Sequence, residues 1–303
     1  MELYTEVSES DARTSYMVRP VWRGRTAWQD VMIADSPVYG RMLFLDGELQ
    51  SAAADEHIYH ETLIHPAMAT VVAEKGAEAE AEEGIRVLVV GGGEGATVRE
   101  VLRWSAVDEV VWVDIDRELV SLCEEHLRWA PGVCEDSRVT YYGEDIREAW
   151  GRGLGHFDVI VLDLPDPDGD TGYLYSPTFW DDVRAHLATG GVVVTHCGPV
   201  RPLGNIGEGF QRVHAALARL GGTGRFYHIG IPSFQGDWGF FLWRREGAVG
   251  GAAPPALPAG LRVVDNDQLN AWARPSKLWT EATAASGAFG IEEVAVHAAE
   301  LEQ

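Results

Sequence analysis

The chain has 303 residues, 46% of them hydrophobic and 10% aromatic, enough to bury the core of one large domain or two modest ones. Its 47 acidic side chains against 24 basic ones leave a formal charge of −23, which repels phosphates and disfavours a nucleic-acid partner. No apolar run approaches the ~20 residues of a membrane helix, and Met1-Glu2-Leu3-Tyr4-Thr5-Glu6 has neither a basic start nor an apolar stretch, so neither a membrane partner nor a secretory signal is expected.

In chain order, residues 1 to about 54 read as short strands punctuated by turns. Trp28 to Ala34 and Gly40 to Leu45 are the clearest, separated by Asp35-Ser36-Pro37 and closed by Asp46-Gly47. Asp55 to Val72 has helical spacing through Ile58, Leu63, Ile64 and Ala67, with Pro66 expected to kink or end it. Lys75 to Gly84 is an acidic low-complexity insertion, read as an exposed loop or short extra helix. Strands then alternate with helices. Val87 to Val90, Glu109 to Val113, Val139 to Tyr142, Asp158 to Leu162 and Gly191 to Thr195 read as strands. Ala96 to Trp104, Glu118 to Arg128, Pro177 to Leu187 and Ile206 to Leu220 read as helices, and Phe226 to Gly230 and Gly239 to Trp243 as closing strands. That alternation implies parallel crossovers and a doubly wound α/β sheet. Gly247 to Gly260 reads as a linker, and the tail from Leu261 as a strand, a proline turn and a helix. The division expected is an N-terminal β-strand domain (1–54), a Rossmann-like catalytic domain (55–246) and a linker with a C-terminal tail (247–303).

The strand Val87 to Val90 runs into Gly91-Gly92-Gly93-Glu94-Gly95-Ala96-Thr97 and then a helix, the setting in which a glycine turn lets a ligand approach backbone. About twenty residues on, the next strand ends in Asp114-Ile115-Asp116, where a carboxylate can accept from a ribose diol. The third ends in Gly143-Glu144-Asp145, placed to reach an adenine amino group. Three acidic strand ends at one sheet edge make a nucleoside pocket. Methyltransferases carry an acidic residue two positions before the first glycine, and here that position is Val89. A carboxylate inside the turn, Glu94, repels a ligand carboxylate and attracts an ammonium, which favours decarboxylated S-adenosylmethionine as co-substrate.

The fourth strand opens into Asp163-Leu164-Pro165-Asp166-Pro167, two carboxylates three residues apart and stiffened by prolines. A carboxylate there can hold an attacking amine and take its proton. By itself the same motif is also a capped turn. His60 and His65 invite a zinc reading, but five residues place them about 140° apart on a helix, so no metal is expected. Three cysteines (Cys123, Cys134, Cys197) without a CxxC pair fit a reducing cytoplasm, and Cys197 reads as buried filler.

Asp55-Glu56-His57-Ile58-Tyr59-His60-Glu61, Ile64-His65-Pro66-Ala67-Met68, Gly91 to Thr97, Asp114-Ile115-Asp116, Asp163 to Pro167 and Leu174-Tyr175-Ser176 together resemble the polyamine aminopropyltransferases, over about residues 20 to 245. The GGGEGAT turn, Ile231-Pro232-Ser233-Phe234 and Asp237-Trp238-Gly239 look nearest the thermospermine synthase branch. The resemblance implies a small N-terminal β-domain over a Rossmann-like, methyltransferase-type sheet, a homodimer or homotetramer, and no permanently bound cofactor. It implies Asp163 as proton acceptor, and Gln50, Gly91, Gly93, Asp114, Asp145 and Ile146 around the nucleoside. Tyr59, His60, Glu94 and Asp166, with Tyr175 beside them, would line the aminopropyl and amine channel. Glu94 stands where many spermidine synthases have Asp, and Asp168-Gly169-Asp170 adds carboxylates beside the gate, which leaves the acceptor amine open. Rival readings are a methyltransferase acting on a small cation and a non-catalytic polyamine or nucleoside sensor.

Overall fold

The structure, a computed structural model, describes residues 1–6, 14–75, 84–166, 172–246 and 255–285. The acidic insertion after Lys75, the Asp168-Gly169-Asp170 carboxylates and the first part of the linker fall outside them. Five strands come first: β1 (Glu2–Thr5), β2 (Ser15–Arg25), β3 (Asp30–Ser36), β4 (Gly40–Leu45) and β5 (Glu48–Ala52). The chain continues as α1 (Glu56–Lys75), β6 (Ile85–Gly91), α2 (Ala96–Leu102), β7 (Val107–Val113), α3 (Arg117–His126), β8 (Val139–Tyr142), α4 (Ile146–Trp150) and β9 (Phe157–Asp163). After these come α5 (Pro177–Ala185), β10 (Leu187–Val200), α6 (Glu208–Leu220), β11 (Thr223–Ile231), a 3₁₀ turn (Pro232–Phe234), β12 (Gly236–Arg244), α7 (Asn266–Trp272) and α8 (Lys277–Ala285).

β1 to β5 form one antiparallel sheet in sequential order. Asp46 and Gly47, both with positive φ (49° and 95°), close the β4–β5 hairpin, the geometry whose twist matches the flanking strands. The strand expected from Trp28 starts later, at Asp30, because Thr26 Oγ1 accepts from the Trp28 and Gln29 amides and makes a turn there. Alternation along β3 sends Val31 and Ile33 to one face, against Leu119 and Cys123 of α3 and Leu127 just after it. Met32 and Ala34 point to the other, with Tyr16, Met42 and Phe44. The small sheet is thereby seated on the α/β body.

The larger sheet has the order β11-β12-β10-β9-β6-β7-β8. β6, β7, β8, β9 and β10 run parallel, while β12 lies antiparallel between β10 and β11. Helices cover both faces, so the central strands read as unbroken Val/Leu/Ile runs. Val87, Val89, Val159 and Val161 pack toward α1 and α2. Leu88, Val90, Ile160 and Leu162 pack toward α5 and α6. The chain leaves β6 for β7 on one side and later returns to β9 on the other, so the strand order reverses at β6, and a cleft opens at the carboxyl ends there.

Two expectations are corrected and one helix is added. Pro66 neither ends nor breaks α1; the Thr62 carbonyl, which loses its helical donor to the proline ring, accepts from the Tyr227 hydroxyl at 3.2 Å instead. The tail holds no strand among the described residues. Its β-branched segment gives the Arg262, Val263 and Val264 amides to the buried Glu61 carboxylate (2.9, 2.8 and 3.2 Å) rather than to a neighbouring strand, and two helices follow. The segment after Gly143-Glu144-Asp145 is helical as α4, five residues being too short for a periodic signal.

Candidate active site

Parallel pairing sets Gly91 at the end of β6 directly beside Asp163 at the end of β9. Gly91 has φ 81°, and a Cβ there would stand 2.0 Å from the Asp163 carbonyl oxygen, so only glycine fits. That carbonyl accepts from the Gly92 amide at 2.9 Å, locking turn to strand. Gly93 is needed for closeness: a Cβ on it would meet Leu119 at 3.0 Å and Asp114 Oδ2 at 3.2 Å. Two carboxylates predicted from separate motifs, Asp114 and Asp163, thus flank one glycine turn.

Asp163 holds its side chain on two hydroxyls. Tyr59, from α1, donates to Oδ1 at 2.7 Å, and Thr97, from the first turn of α2, donates to Oδ2. Burial, reinforced by the Asp163 charge, pushes the Tyr59 phenol far above its ordinary range, so it stays a donor. Asp166 lies beyond Pro165, half-buried, with Oδ1 3.6 Å from His196 Nδ1. His196, on β10, gives Nε2–H to the Leu164 carbonyl at 2.6 Å and accepts from Trp238 Nε1 at 3.3 Å. This histidine and the indole stacked on it line the cleft; the sequence alone suggests Trp238 as a wall for the methylene stretches of a polyamine and gives no sign of His196.

The Asp114-Ile115-Asp116 pair divides its work. Asp116 caps α3 through the Leu119 amide (3.0 Å) and accepts from Thr26 (2.6 Å) and Gln29 (2.8 Å) of the N-terminal sheet. Among the described residues Asp114 accepts only the Asp116 amide, at 2.8 Å, and it faces the turn. Burial, with the neighbouring Asp116 and Asp163 charges, pushes its carboxyl up to about 7. Asp145 caps α4 through the Arg147 amide at 2.8 Å and pairs with the Arg147 guanidinium at 2.5 Å; that hydrogen-bonded pair lowers its carboxyl. Ile146 follows it as a buried wall, and Gln50 closes the cleft from β5.

Two expected lining residues sit behind the wall. His60 is fully buried and does not reach the cleft; it stands between Glu56 and Glu94, 2.9 Å from a carboxylate oxygen of each. Burial opposes its charge, but those two carboxylates outweigh it and push the imidazole up to about 10. Tyr175 is buried too, at φ 62°, its hydroxyl on the Pro165 carbonyl at 3.0 Å, so it props the loop while Tyr173 and Leu174 face the cleft. Glu94 itself lines the cleft and accepts from Ser51 Oγ at 2.7 Å. His65 is committed elsewhere, to Glu100 (3.1 Å) and Trp104 (3.0 Å), so the two histidines of the apparent zinc motif serve different partners.

The result is one cleft of about 1320 Å³ between the two sheets, roomy enough for a nucleoside and an extended chain together. The glycine turn, with Glu94 in it, stands between Asp114 and Asp163, and Asp145, Ile146, Asp166, His196 and Trp238 line the same cleft. Such a cleft takes a neutral sugar and a polycationic chain.

Two family models match separate parts of the chain. Residues 56–248 match a spermine/spermidine synthase domain and residues 3–52 a spermidine synthase tetramerisation domain. The chain is 39% identical over 248 residues to polyamine aminopropyltransferase 2 of Pseudomonas aeruginosa, a match that covers 78% of this chain and 66% of that relative. It is 36% identical to polyamine aminopropyltransferase 2 of Hyperthermus butylicus, over 87% of this chain and 81% of the relative. It is 30% identical to a thermospermine synthase of Arabidopsis thaliana, over 79% and 68%. The fold is shared with a crystal structure of spermidine synthase in complex with the transition-state analogue AdoDATO (TM-score 0.80, 20% identity, 94% and 95% of the two chains).

Proposed function

The chain belongs to the spermine/spermidine synthase family, and from that premise we propose that it moves the aminopropyl group of decarboxylated S-adenosylmethionine to a polyamine acceptor, releasing methylthioadenosine. The observation that carries the reading is the set of carboxylates, Glu94, Asp114, Asp163 and Asp166, that line one cleft around the glycine turn. A donor tail that kept its carboxylate would meet Glu94 and be repelled; an ammonium is drawn in.

Asp114 would accept the ribose hydroxyls, with Gln50, Asp145 and Ile146 around the base and Gly91 and Gly93 allowing the backbone to close on the donor. The acceptor nitrogen would sit at Asp163, steadied by Tyr59, with Asp166 on the next ammonium along the chain. Its lone pair attacks the methylene carbon bound to the sulfonium. The carbon–sulfur bond breaks, sulfur keeps the pair as a neutral thioether, and the new N–C bond leaves an ammonium. Asp163 takes that proton. An alkylamine has a pKa near ~10, so a fixed carboxylate that favours deprotonation as the bond forms, with the two reactants aligned, supplies most of the acceleration. The leaving group is uncharged, so no donors are required for it.

We also place the protein in the cytoplasm as a homodimer or homotetramer. Three free cysteines support the first. The match of residues 3–52 and exposed apolar side chains on the edge strand β1 and its neighbour β2, Leu3 (66%) and Met17 (46%), support the second. Among the described residues no helix is long and apolar enough to cross a membrane.

The test is an acceptor panel: the purified enzyme with decarboxylated S-adenosylmethionine and putrescine, agmatine, cadaverine or spermidine in turn, products read by mass spectrometry. Methylthioadenosine with one amine establishes the reaction and names the acceptor, and fragmentation fixes the nitrogen attacked. Methylated product from S-adenosylmethionine, with no methylthioadenosine from any amine, would overturn it.

A further inference from the structure

Residues 255–285 lie beyond the matched synthase domain, which ends at 248, and fold back on β11, the strand at the edge of the larger sheet. Successive β11 side chains point to opposite faces, and the tail covers both. On one face Trp272 of α7 lies against Tyr227, ring centroids 5.3 Å apart, and its Nε1 donates to the His228 carbonyl at 3.0 Å. On the other, Trp279 of α8 lies on His228 at 4.0 Å and on Phe226 at 5.8 Å. Both indoles are buried, and their large apolar area holds the grip shut.

The grip reaches the cleft through one side chain. β11 and β12 form a hairpin whose 3₁₀ turn is tied down at Ser233: its carbonyl accepts from the Tyr16 hydroxyl and its amide donates to Asp55, both at 2.7 Å. Past that turn Asp237, on β12, lines the cleft. Its register partner on β10 is Val200, two residues beyond Gly198, where an added Cβ would stand 3.5 Å from the Asp166 carboxylate. Asp237 is therefore a neighbour of Asp166, the acid assigned above to the acceptor. The Asp237 carboxylate faces His228: Oδ1 stands 3.5 Å from Nδ1, a buried ring nitrogen that meets no closer acceptor among the described residues. Burial lowers this imidazole below its ordinary value, so the ring is neutral at pH 7 and packing, not charge, sets its orientation. Phe226 stacks on it at 6.2 Å and Trp279 at the closer 4.0 Å.

We propose that α7 and α8 clasp β11 and that Trp279 is a positioning residue: by fixing the His228 ring it holds the Asp237 carboxylate at the cleft, where that carboxylate receives a cationic nitrogen of the acceptor. Trp279 itself touches no substrate. The inference rests on the aminopropyl-transfer reading.

A kinetic double-mutant cycle on the full chain tests this, with spermidine and putrescine each titrated at saturating donor. Trp279→Ala is expected to raise the acceptor KM about five- to tenfold, with kcat and the donor KM held within about twofold. Trp279→Phe, which keeps a ring on His228, is expected to stay within about twofold of the wild type. Asp237→Asn is expected to match Trp279→Ala, and adding Trp279→Ala to it to change the acceptor KM by less than about twofold. An unchanged acceptor KM in either single variant overturns the proposal. So does the same further rise in the Asp237→Asn background, the mark of a merely structural role, or a fall in kcat at constant KM. If Trp279→Ala does not fold, His228→Gln decides: the same rise in acceptor KM is expected, and an unchanged value sinks the idea. A wild type that releases no methylthioadenosine with any amine fails the activity and the positioning together, whereas turnover with an indifferent Trp279 fails the positioning alone.

Discussion

Asp163 keeps both oxygens on hydroxyl donors, Tyr59 and Thr97, yet a carboxylate has about four lone-pair sites, so two remain for an incoming amine. The hydroxyls fix its orientation without neutralising it. Asp163→Asn preserves shape and removes the proton acceptor; kcat is expected to fall ~10²–10⁴-fold while methylthioadenosine binding, followed by calorimetry, stays within about threefold. An equal loss of binding would make Asp163 a ligand rather than a base. Asp114 makes a pH prediction. Its carboxyl, raised to about 7 by burial and by the Asp116 and Asp163 charges, is part protonated near neutrality. Ribose hydroxyls bond best to the ionised form, so nucleoside binding releases a proton. Affinity for methylthioadenosine is then expected to fall as pH drops below 7, toward about tenfold per unit, and to level off above it. A flat profile from pH 5.5 to 8 would contradict this.

At the scale of elements, α1 carries the site on one face and the tail on another. Tyr59 and His60 point toward the cleft wall, while Glu61, the next residue, turns away to collect three backbone amides of the tail. A buried carboxylate with three amide donors is a strong tie, and removing its charge weakens each bond. Glu61→Gln is expected to cost ~1–3 kcal/mol, read as a lower melting temperature with faster hydrogen exchange at 261–264, while kcat changes little. A large loss of kcat would mean that the tail also sets the pose of Tyr59. Pro66 fits the same picture: the gap it opens in α1 is filled by Tyr227 from β11, so the helix is locked to the sheet.

For the whole molecule, the cleft exists because the N-terminal sheet lies on α3 and is tied by Thr26 and Gln29 to Asp116. Tyr16 adds a second tie, to the Ser233 carbonyl at 2.7 Å in the 3₁₀ turn. The edge strand β1 and its neighbour β2 leave Leu3 and Met17 paired and open to solvent. Replacing both with glutamate is expected to shift the molecular mass in light scattering from a dimer or tetramer to the monomer. The same mass before and after would place the interface elsewhere. The net charge of −23 acts at this scale too, drawing polycations to the cleft, an attraction that added salt screens.

The alternation of strands and helices, the glycine turn, and the acids at strand ends were legible from residue order alone. Each is local: a period, a steric need for glycine, a motif a few residues long. So Gly91, Gly93, Asp114, Asp163 and Asp166 could be named before any fold was drawn, and the structure sets all five at one sheet edge. What tertiary structure decided were the partnerships. Nothing near position 60 in the chain says that its histidine stands behind Glu94, or that Asp116 serves the N-terminal sheet while Asp114 faces the cleft. Nor does the tail's β-branched run announce that its amides belong to Glu61. Those choices join groups tens to hundreds of positions apart, and burial makes each one obligatory, since a polar group taken from water must find its partner wherever the fold has brought one.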